Sequence, residues 1–348
     1  MAHDTITLIR PDDWHVHLRD GAMLEAVLPF TARQFARAIV MPNLVPPVTS
    51  VAAAESYRAR ILAALPKGLD FTPLMTCYLV DDSDPDELER GFRAGVFAAA
   101  KLYPANATTN SARGVTDLAR LARVMERMER IGMPLLLHGE VTDADVDVFD
   151  REKMFVSRAL APLARRFPGL KMVLEHVTTR EAVAFVSEAP PAIAATITAH
   201  HLVINRNALF AGGLRPHAYC LPVAKREEDR QALRRAAASG SAKIFLGTDT
   251  APHPVPDKEQ DCGCAGIFSA PSALEIYAQV FEDEGALDRF ETFASLNGPR
   301  FYGLPVNEGR VRLVREAWRV PRAVATGAGP VRPFLAGEEL RWRLDGAA

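Results

Sequence analysis

VFAAAKLYP (residues 96–104), PLLLHGE (134–140), KMVLEHV (171–177) and KIFLGTD (243–249) share one pattern: a short apolar run that ends on, or within one residue of, a chemically capable side chain. Those side chains are Lys101, His138, His176 and Asp249. A continuous apolar run of this kind predicts a buried parallel strand, with the functional group at its C-terminal end. The intervals agree with one another: 37 residues from Lys101 to His138, 38 from His138 to His176 and 73, close to twice that step, from His176 to Asp249. A βα unit of a (β/α)8 barrel takes roughly 30 residues, and barrel active sites gather at the C-terminal strand ends. The spacing therefore predicts an α/β fold, a (β/α)8 TIM barrel, together with the rim that carries its site.

Working outward, WHVHLRD (14–20) places His15 and His17 two residues apart. On a strand both side chains point to one face and can grip one ion. Eight strands are predicted, over 13–18, 38–42, 71–80, 96–102, 135–138, 172–176, 194–198 and 243–247. Between them lie helical stretches at 50–65, opened by Ser50 as an N-cap, at 84–95, with Pro85 in the first turn, and at 114–132, ending at Gly132. Alternating strands and helices favour a parallel sheet, and eight strands favour closure. Residues 5–10 read as an extra strand beneath the barrel. From about residue 304 the chain is richer in Arg, Gly and Pro and weakly periodic, a wrapping C-terminal extension of about 304–348 on a core of about 13–303. The whole, 1–348, reads as a single barrel domain.

Composition narrows the function. The 348 residues are 48% hydrophobic and 24% charged, enough for a large core in one domain. The 41 basic and 43 acidic residues are spread along the length, leaving a net charge of -2 and no footprint for nucleic acid or an anionic membrane. A small-molecule substrate is the default. MAHDTITLIRPDD (1–13) lacks a long apolar core, so a secretory signal is not expected, and no run approaches the ~18 apolar residues of a membrane span. A cytoplasmic protein is expected, with Cys77, Cys220, Cys262 and Cys264 as thiols. Cys262 and Cys264 in DCGCAG (261–266) could begin a structural zinc site, but such a site needs four ligands.

Any one of these histidines alone is as well explained by a hydrogen-bonded core position. Four imidazoles and a carboxylate arriving at one rim on the barrel period have no such explanation, and that donor set suits zinc. Lys101 fits a plain zinc site badly, since an ammonium repels a dication. At this point a family resemblance enters. HVHLRD, AAKLYPANATTNS, HGE, EHVTT and GTDTAPH together resemble the amidohydrolase superfamily, and within it the shorter (type II) dihydroorotases. The likeness runs over essentially the whole chain, through MPNLVPPVT (41–49) and FTPLMTCYL (71–79) to NGPRFYGLP (297–305) and PFLAGEELRW (333–342).

The resemblance implies two zinc ions per subunit: His15, His17 and Asp249 on one, His138 and His176 on the other, and Lys101, carboxylated to N6-carboxylysine, bridging them. It implies that Arg19 and Asn43, joined by His253, bind the substrate carboxylate, that backbone groups near Leu221 and Ala265 meet the ring, with His138 beside them, and that Thr108 and Thr109 in ANATTNSARG (105–114) contact substrate from a lid. The polar, anchor-free composition of that loop suits a lid independently, as it would a plain connector. Arg19 suits a carboxylate because its planar fork donates two parallel hydrogen bonds. Asp249 would be the catalytic proton shuttle in reversible hydrolysis of dihydroorotate to N-carbamoyl-aspartate, a step of pyrimidine biosynthesis, and a homodimer is what the family suggests. The competing readings are a hydantoinase, dihydropyrimidinase or allantoinase, whose small β domain has little room in the fourteen residues before His15, and a non-catalytic scaffold subunit, which would have lost ligands. His200 and His201 read as structural, His217 stays undecided, and His3 reads as a surface residue.

Overall fold

A computed structural model describes residues 4–347 of the chain; His3 lies outside them. After a first strand, β1 (Thr5–Ile9), come β2 (Asp13–Val16), β3 (Arg37–Val40), β4 (Thr72–Tyr78), β5 (Phe97–Leu102), β6 (Leu135–Leu137), β7 (Met172–Leu174), β8 (Ile193–Ile197) and β9 (Ile244–Leu246). Strands β2 to β9 pair in chain order, every pair parallel. The sheet closes just beyond β9, where the Asp249 N–H donates to the His15 carbonyl at 2.9 Å and the His17 N–H to that of Thr250 at 3.0 Å. This is the predicted (β/α)8 barrel, all eight predicted strands included.

The strands sort their side chains by alternation. Trp14, Ile39, Met41, Ala99, Leu136, Val173, Ala194 and Phe245 form an interior layer, plugged at the N-terminal end by Phe301, Tyr302 and Leu304. Trp14 stacks on Tyr302 with ring centroids 4.4 Å apart. The other face, including Ala100, Leu102, Leu135, Leu137, Met172, Leu174, Ile244 and Leu246, meets the surrounding helices in the main core. Those helices begin and end largely where their caps dictate: Ser50 accepts from the Ala53 N–H, Asp84 caps the helix opened by Pro85, and Gly132 stops its helix in the left-handed region at φ 75. The helix predicted over 114–132 is shorter. It runs Ala122–Ile131 behind a 3-10 turn capped by Asp117, while Gly114 is held against the loop, where a Cβ would lie 2.4 Å from the Tyr103 carbonyl.

The strand expected over 5–10 is present as β1, and it pairs antiparallel with β10 (Arg310–Val314). The expected C-terminal extension carries strands that its weak periodicity did not reveal. Besides β10 it holds β11 (Trp318–Arg319), β12 (Glu339–Leu340) and β13 (Arg343–Ala347), with β10 central in a three-stranded sheet β1-β10-β13. The physical reason is a period-2 signal too short to stand out: Val311 and Leu313 are buried while Arg310 and Arg312 face solvent.

Candidate active site

Alternation explains how most of the chemistry reaches the barrel mouth. Ala99 is interior, so Lys101 is; Leu136 is interior, so His138 is; Phe245 is interior, and Asp249 lies four residues on. Two positions depart from the rule. Trp14 is interior yet Val16 and Leu18 pack outward, an even spacing that should keep all three on one face. A register shift between Asp13 and Val16 resolves this and turns His15 and His17 toward the mouth. On β7 the interior Val173 predicts Glu175, not His176, as the next inward residue, and Glu175 is there. His176 joins it because its backbone sits at φ 44. Asp249 at φ 45 and Arg19 at φ 60 share this left-handed conformation, uncommon for non-glycine residues and concentrated at functional sites.

The result is a tight donor cluster. His15 Nε2 and His17 Nε2 are 3.2 Å apart, and they lie 3.2 and 3.1 Å from Asp249 Oδ1. Ligands placed tetrahedrally about 2.0–2.1 Å from one zinc ion are about 3.3 Å apart, so these three atoms have the mutual spacing of a metal face. Behind them, His17 Nδ1 is hydrogen-bonded to Asn43 Oδ1 at 2.9 Å, and His15 Nδ1 lies 2.9 Å from Glu175 Oε1 as an ion pair. His15, Glu175 and His176 make a second converging set. His176 Nδ1 is buried without a hydrogen-bond partner among the described residues, and the His176 ring lies 5.0 Å from that of His15 and 4.9 Å from that of His138. His138 Nε2 is hydrogen-bonded to Glu140 at 2.8 Å. The donor set fits divalent metal.

Electrostatics agree. Burial pushes His17 down to about 4 and His176 well below its usual value, so both are neutral bases able to ligate. Burial also opposes charge on His15, but the Glu175 and Asp249 carboxylates outweigh it and raise the group to about 9. Asp249 is held well below the carboxylate range, burial being overcome by His15 and His17. Lys101 is wholly buried behind this cluster, paired with Glu175, and burial lowers its pKa.

His15, His17, Arg19, Asn43, Thr108, Thr109, His138, His176, Leu221, Asp249 and Ala265 line one cavity. Lys101 and His253 stand behind its wall. His253 Nε2 accepts from Arg19 at 2.9 Å, and Arg19 Nε donates to the Pro252 carbonyl at 3.1 Å. The loop 105–114 is folded in: Thr109 Oγ1 donates to the Ala265 carbonyl at 3.2 Å, Asn43 Nδ2 to that of Thr109 at 3.1 Å. His201 Nε2 is hydrogen-bonded to the Pro222 carbonyl at 3.0 Å, beside Leu221, and His217 Nε2 to Glu259 at 2.7 Å.

Sequence reading missed Glu175, Asp13, Glu140 and Cys220. Glu175 could have been found by continuing the β7 alternation past Leu174. Asp13, which accepts from the Thr248 N–H at 2.8 Å and its hydroxyl at 2.6 Å, ties the first barrel strand to the last; its position two before His15 was the only signal. Cys220, a further cavity-lining residue, carried no motif.

The model of the Amidohydrolase family matches residues 5–326. A dihydroorotase of Synechococcus sp. (strain RCC307) is 66% identical over 343 residues, 99% of each chain. Among solved structures, the dihydroorotase of Campylobacter jejuni superposes with a TM-score of 0.91 at 38% identity, covering 99% of this chain and 98% of that one. The Saccharomyces cerevisiae dihydroorotase, solved with 5-fluoroorotic acid, gives 0.91 at 34% over 99% of both. With the donor cluster at the rim of a closed eight-stranded barrel, these likenesses leave one conclusion: the chain belongs to the amidohydrolase family and, within it, to the dihydroorotases.

Proposed function

We propose that this chain hydrolyses the cyclic amide of dihydroorotate reversibly to N-carbamoyl-aspartate, using two zinc ions held at the barrel mouth. The observation that carries the metal reading is the triangle of His15, His17 and Asp249 donor atoms at 3.1–3.2 Å. His15, His17 and Asp249 would hold one ion, His138 and His176 the other, with Lys101 between. Bound there, the ions supply Lewis-acid polarisation of the amide carbonyl and a water that is nucleophilic near neutral pH.

The protein's own groups do the rest. Lys101 becomes a ligand by reaction of its neutral amine with CO2, forming the N–C bond of a carbamate and releasing one proton; burial favours the neutral amine that this needs. Arg19 and Asn43 receive the substrate carboxylate, with His253 steadying the guanidinium that it contacts at 2.9 Å. Backbone groups of Leu221 and Ala265 orient the ring, and Thr108 and Thr109 close over it. Asp249 takes the proton from the attacking water and delivers it to the departing ring nitrogen, a role open to it because it stays ionised.

We read the chain as one domain, because Val311, Leu313, Val320, Leu340 and Trp342 of the tail share the main core with the barrel. A homodimer in the cytoplasm completes the proposal; no described helix is long and apolar enough to cross a membrane. Metal content and turnover of dihydroorotate on the purified protein test it together, with intact mass for the CO2 increment on Lys101. Two zinc ions, turnover and the increment are expected. An active two-zinc protein with an unmodified Lys101 mass overturns the bridge, and a folded, metal-loaded protein without turnover overturns the reaction.

A further inference from the structure

Lys258 is 4% exposed, and no carboxylate pairs with it among the described residues. Its ammonium donates to three backbone carbonyls instead: Tyr219 at 2.9 Å, Cys264 at 2.9 Å and Gly266 at 2.6 Å. These carbonyls belong to two segments far apart in sequence. One leads into Cys220 and Leu221, the other brackets Ala265, and all three of those residues line the cavity. The Gly266 N–H adds a direct link to the Tyr219 carbonyl at 3.1 Å. The segment around Ala265 has little freedom elsewhere: Gly266 is at φ +150, and a Cβ there would come within 2.7 Å of the Ala251 carbonyl. The Ala265 carbonyl, between two that Lys258 holds, is also where Thr109 of the folded-in loop lands.

We propose that Lys258 is a positioning residue for the reaction, a tripod that sets the two backbone walls meeting the substrate ring and the landing point of the lid. This rests on the assignment above of Leu221 and Ala265 to the ring. An ammonium suits the task because it offers three donors, no acceptor and a charge that strengthens each bond. Without it the Cys264 and Gly266 carbonyls would lose their charged donor, and among the described residues only the Gly266 N–H to Tyr219 carbonyl bond would still tie the two segments together. Tyr219 adds its ring, 5.9 Å from the ammonium.

The pH dependence follows from the same geometry. Burial lowers Lys258 to about 8; the Cys220 and Cys264 thiols oppose this and Arg19 adds to it. Below that value three N–H groups meet three carbonyls. Above it the neutral amine has two, and one carbonyl is released.

The test compares zinc-loaded wild type with Lys258→Met and Lys258→Arg in steady-state kinetics on dihydroorotate, with metal content and circular dichroism. Lys258→Met, of similar length but without donors, should raise KM about tenfold or more, kcat changing far less and zinc content remaining that of wild type. Wild-type KM should rise from pH 7 to pH 9, and Lys258→Arg, which stays charged, should lack that step. A folded Lys258→Met with wild-type KM overturns the inference, as does the same pH step in Lys258→Arg. If Lys258→Met does not fold, the pH comparison decides; loss of fold in both variants overturns the inference by making the lysine a requirement of the fold itself. Absence of wild-type turnover refutes the function instead, whereas an active wild type with an indifferent Lys258 refutes only this role.

Discussion

At the scale of single residues, the division of labour around Asp249 can be tested. Asp249→Asn keeps an oxygen that can approach a metal but is a far poorer proton acceptor. The variant should stay folded and largely metallated while turnover falls about 10² to 10⁴ fold, the usual contribution of a positioned acid or base. Near wild-type turnover with both metals in place would move the shuttle elsewhere, with His253 next. Arg19→Met separates substrate from metal: Arg19 lines the cavity but reaches back to His253 and Pro252, not to a donor atom of the cluster. Losing a charge-assisted hydrogen bond to the substrate carboxylate is worth about 1.5 to 3 kcal/mol, one to two decades in KM. Zinc content should not change, and unchanged kinetics on dihydroorotate would remove Arg19 from the binding site. Residue types at this scale were legible because chemistry restricts them. Glu175 was not, because its role depends on where β7 stops.

Elements decide how firmly these groups are held. The loop 105–114 contributes Thr108 and Thr109 to the cavity wall, and its attachments across the mouth among the described residues are four: Thr109 to Ala265, Asn43 to Thr109, Asn110 Nδ2 to the Asn43 carbonyl at 3.1 Å, and the Tyr78 hydroxyl to the Asn110 carbonyl at 3.4 Å. Such a loop can open. Thr108→Ala with Thr109→Val should lower turnover while leaving metal content and thermal stability at wild type, and full activity would reduce the loop to a connector. The segment after β7 is the opposite case. Glu152, buried in the helix Arg151–Phe155, accepts from the backbone N–H and hydroxyl groups of both Thr178 and Thr179 at 2.6–3.0 Å. These lie just past the strained His176. Glu152→Ala strands several buried donors and should destabilise the protein by about 3 kcal/mol or more in denaturant melts, with early loss of the metal that His176 would hold. Stability equal to wild type would show that water or a rearranged side chain replaces the carboxylate.

For the whole molecule, burial of so many imidazoles sets the acid limit of stability. His200 is fully buried, neither ring nitrogen has a hydrogen-bond partner among the described residues, and burial lowers it to about 4. Its folded value lies below its unfolded 6.5, so the unfolded chain binds the extra proton; stability is complete above about pH 6.5 and is lost as pH falls toward 4. At pH 5 the loss from His200 alone is about 2 kcal/mol. His200→Phe should melt closer to its neutral-pH midpoint at pH 5 than wild type does, and an equal acid loss in both would assign the effect to other histidines. The sequence by itself determined the barrel, its eight strands and the rim that carries the site, because apolar runs and a βα repeat are local patterns that secondary structure obeys directly. It also determined which donor types meet at that rim, since few side chains can hold a metal. Tertiary structure alone decided the rest. The register shift in β2 and the left-handed His176 turn residues against the alternation their strands prescribe. The Lys258 and Glu152 clamps join segments 26 to 47 residues apart, and β1 finds β10 across almost the whole chain. Each of these depends on which distant backbone groups need a partner once the barrel has closed, and no local pattern in the sequence encodes that.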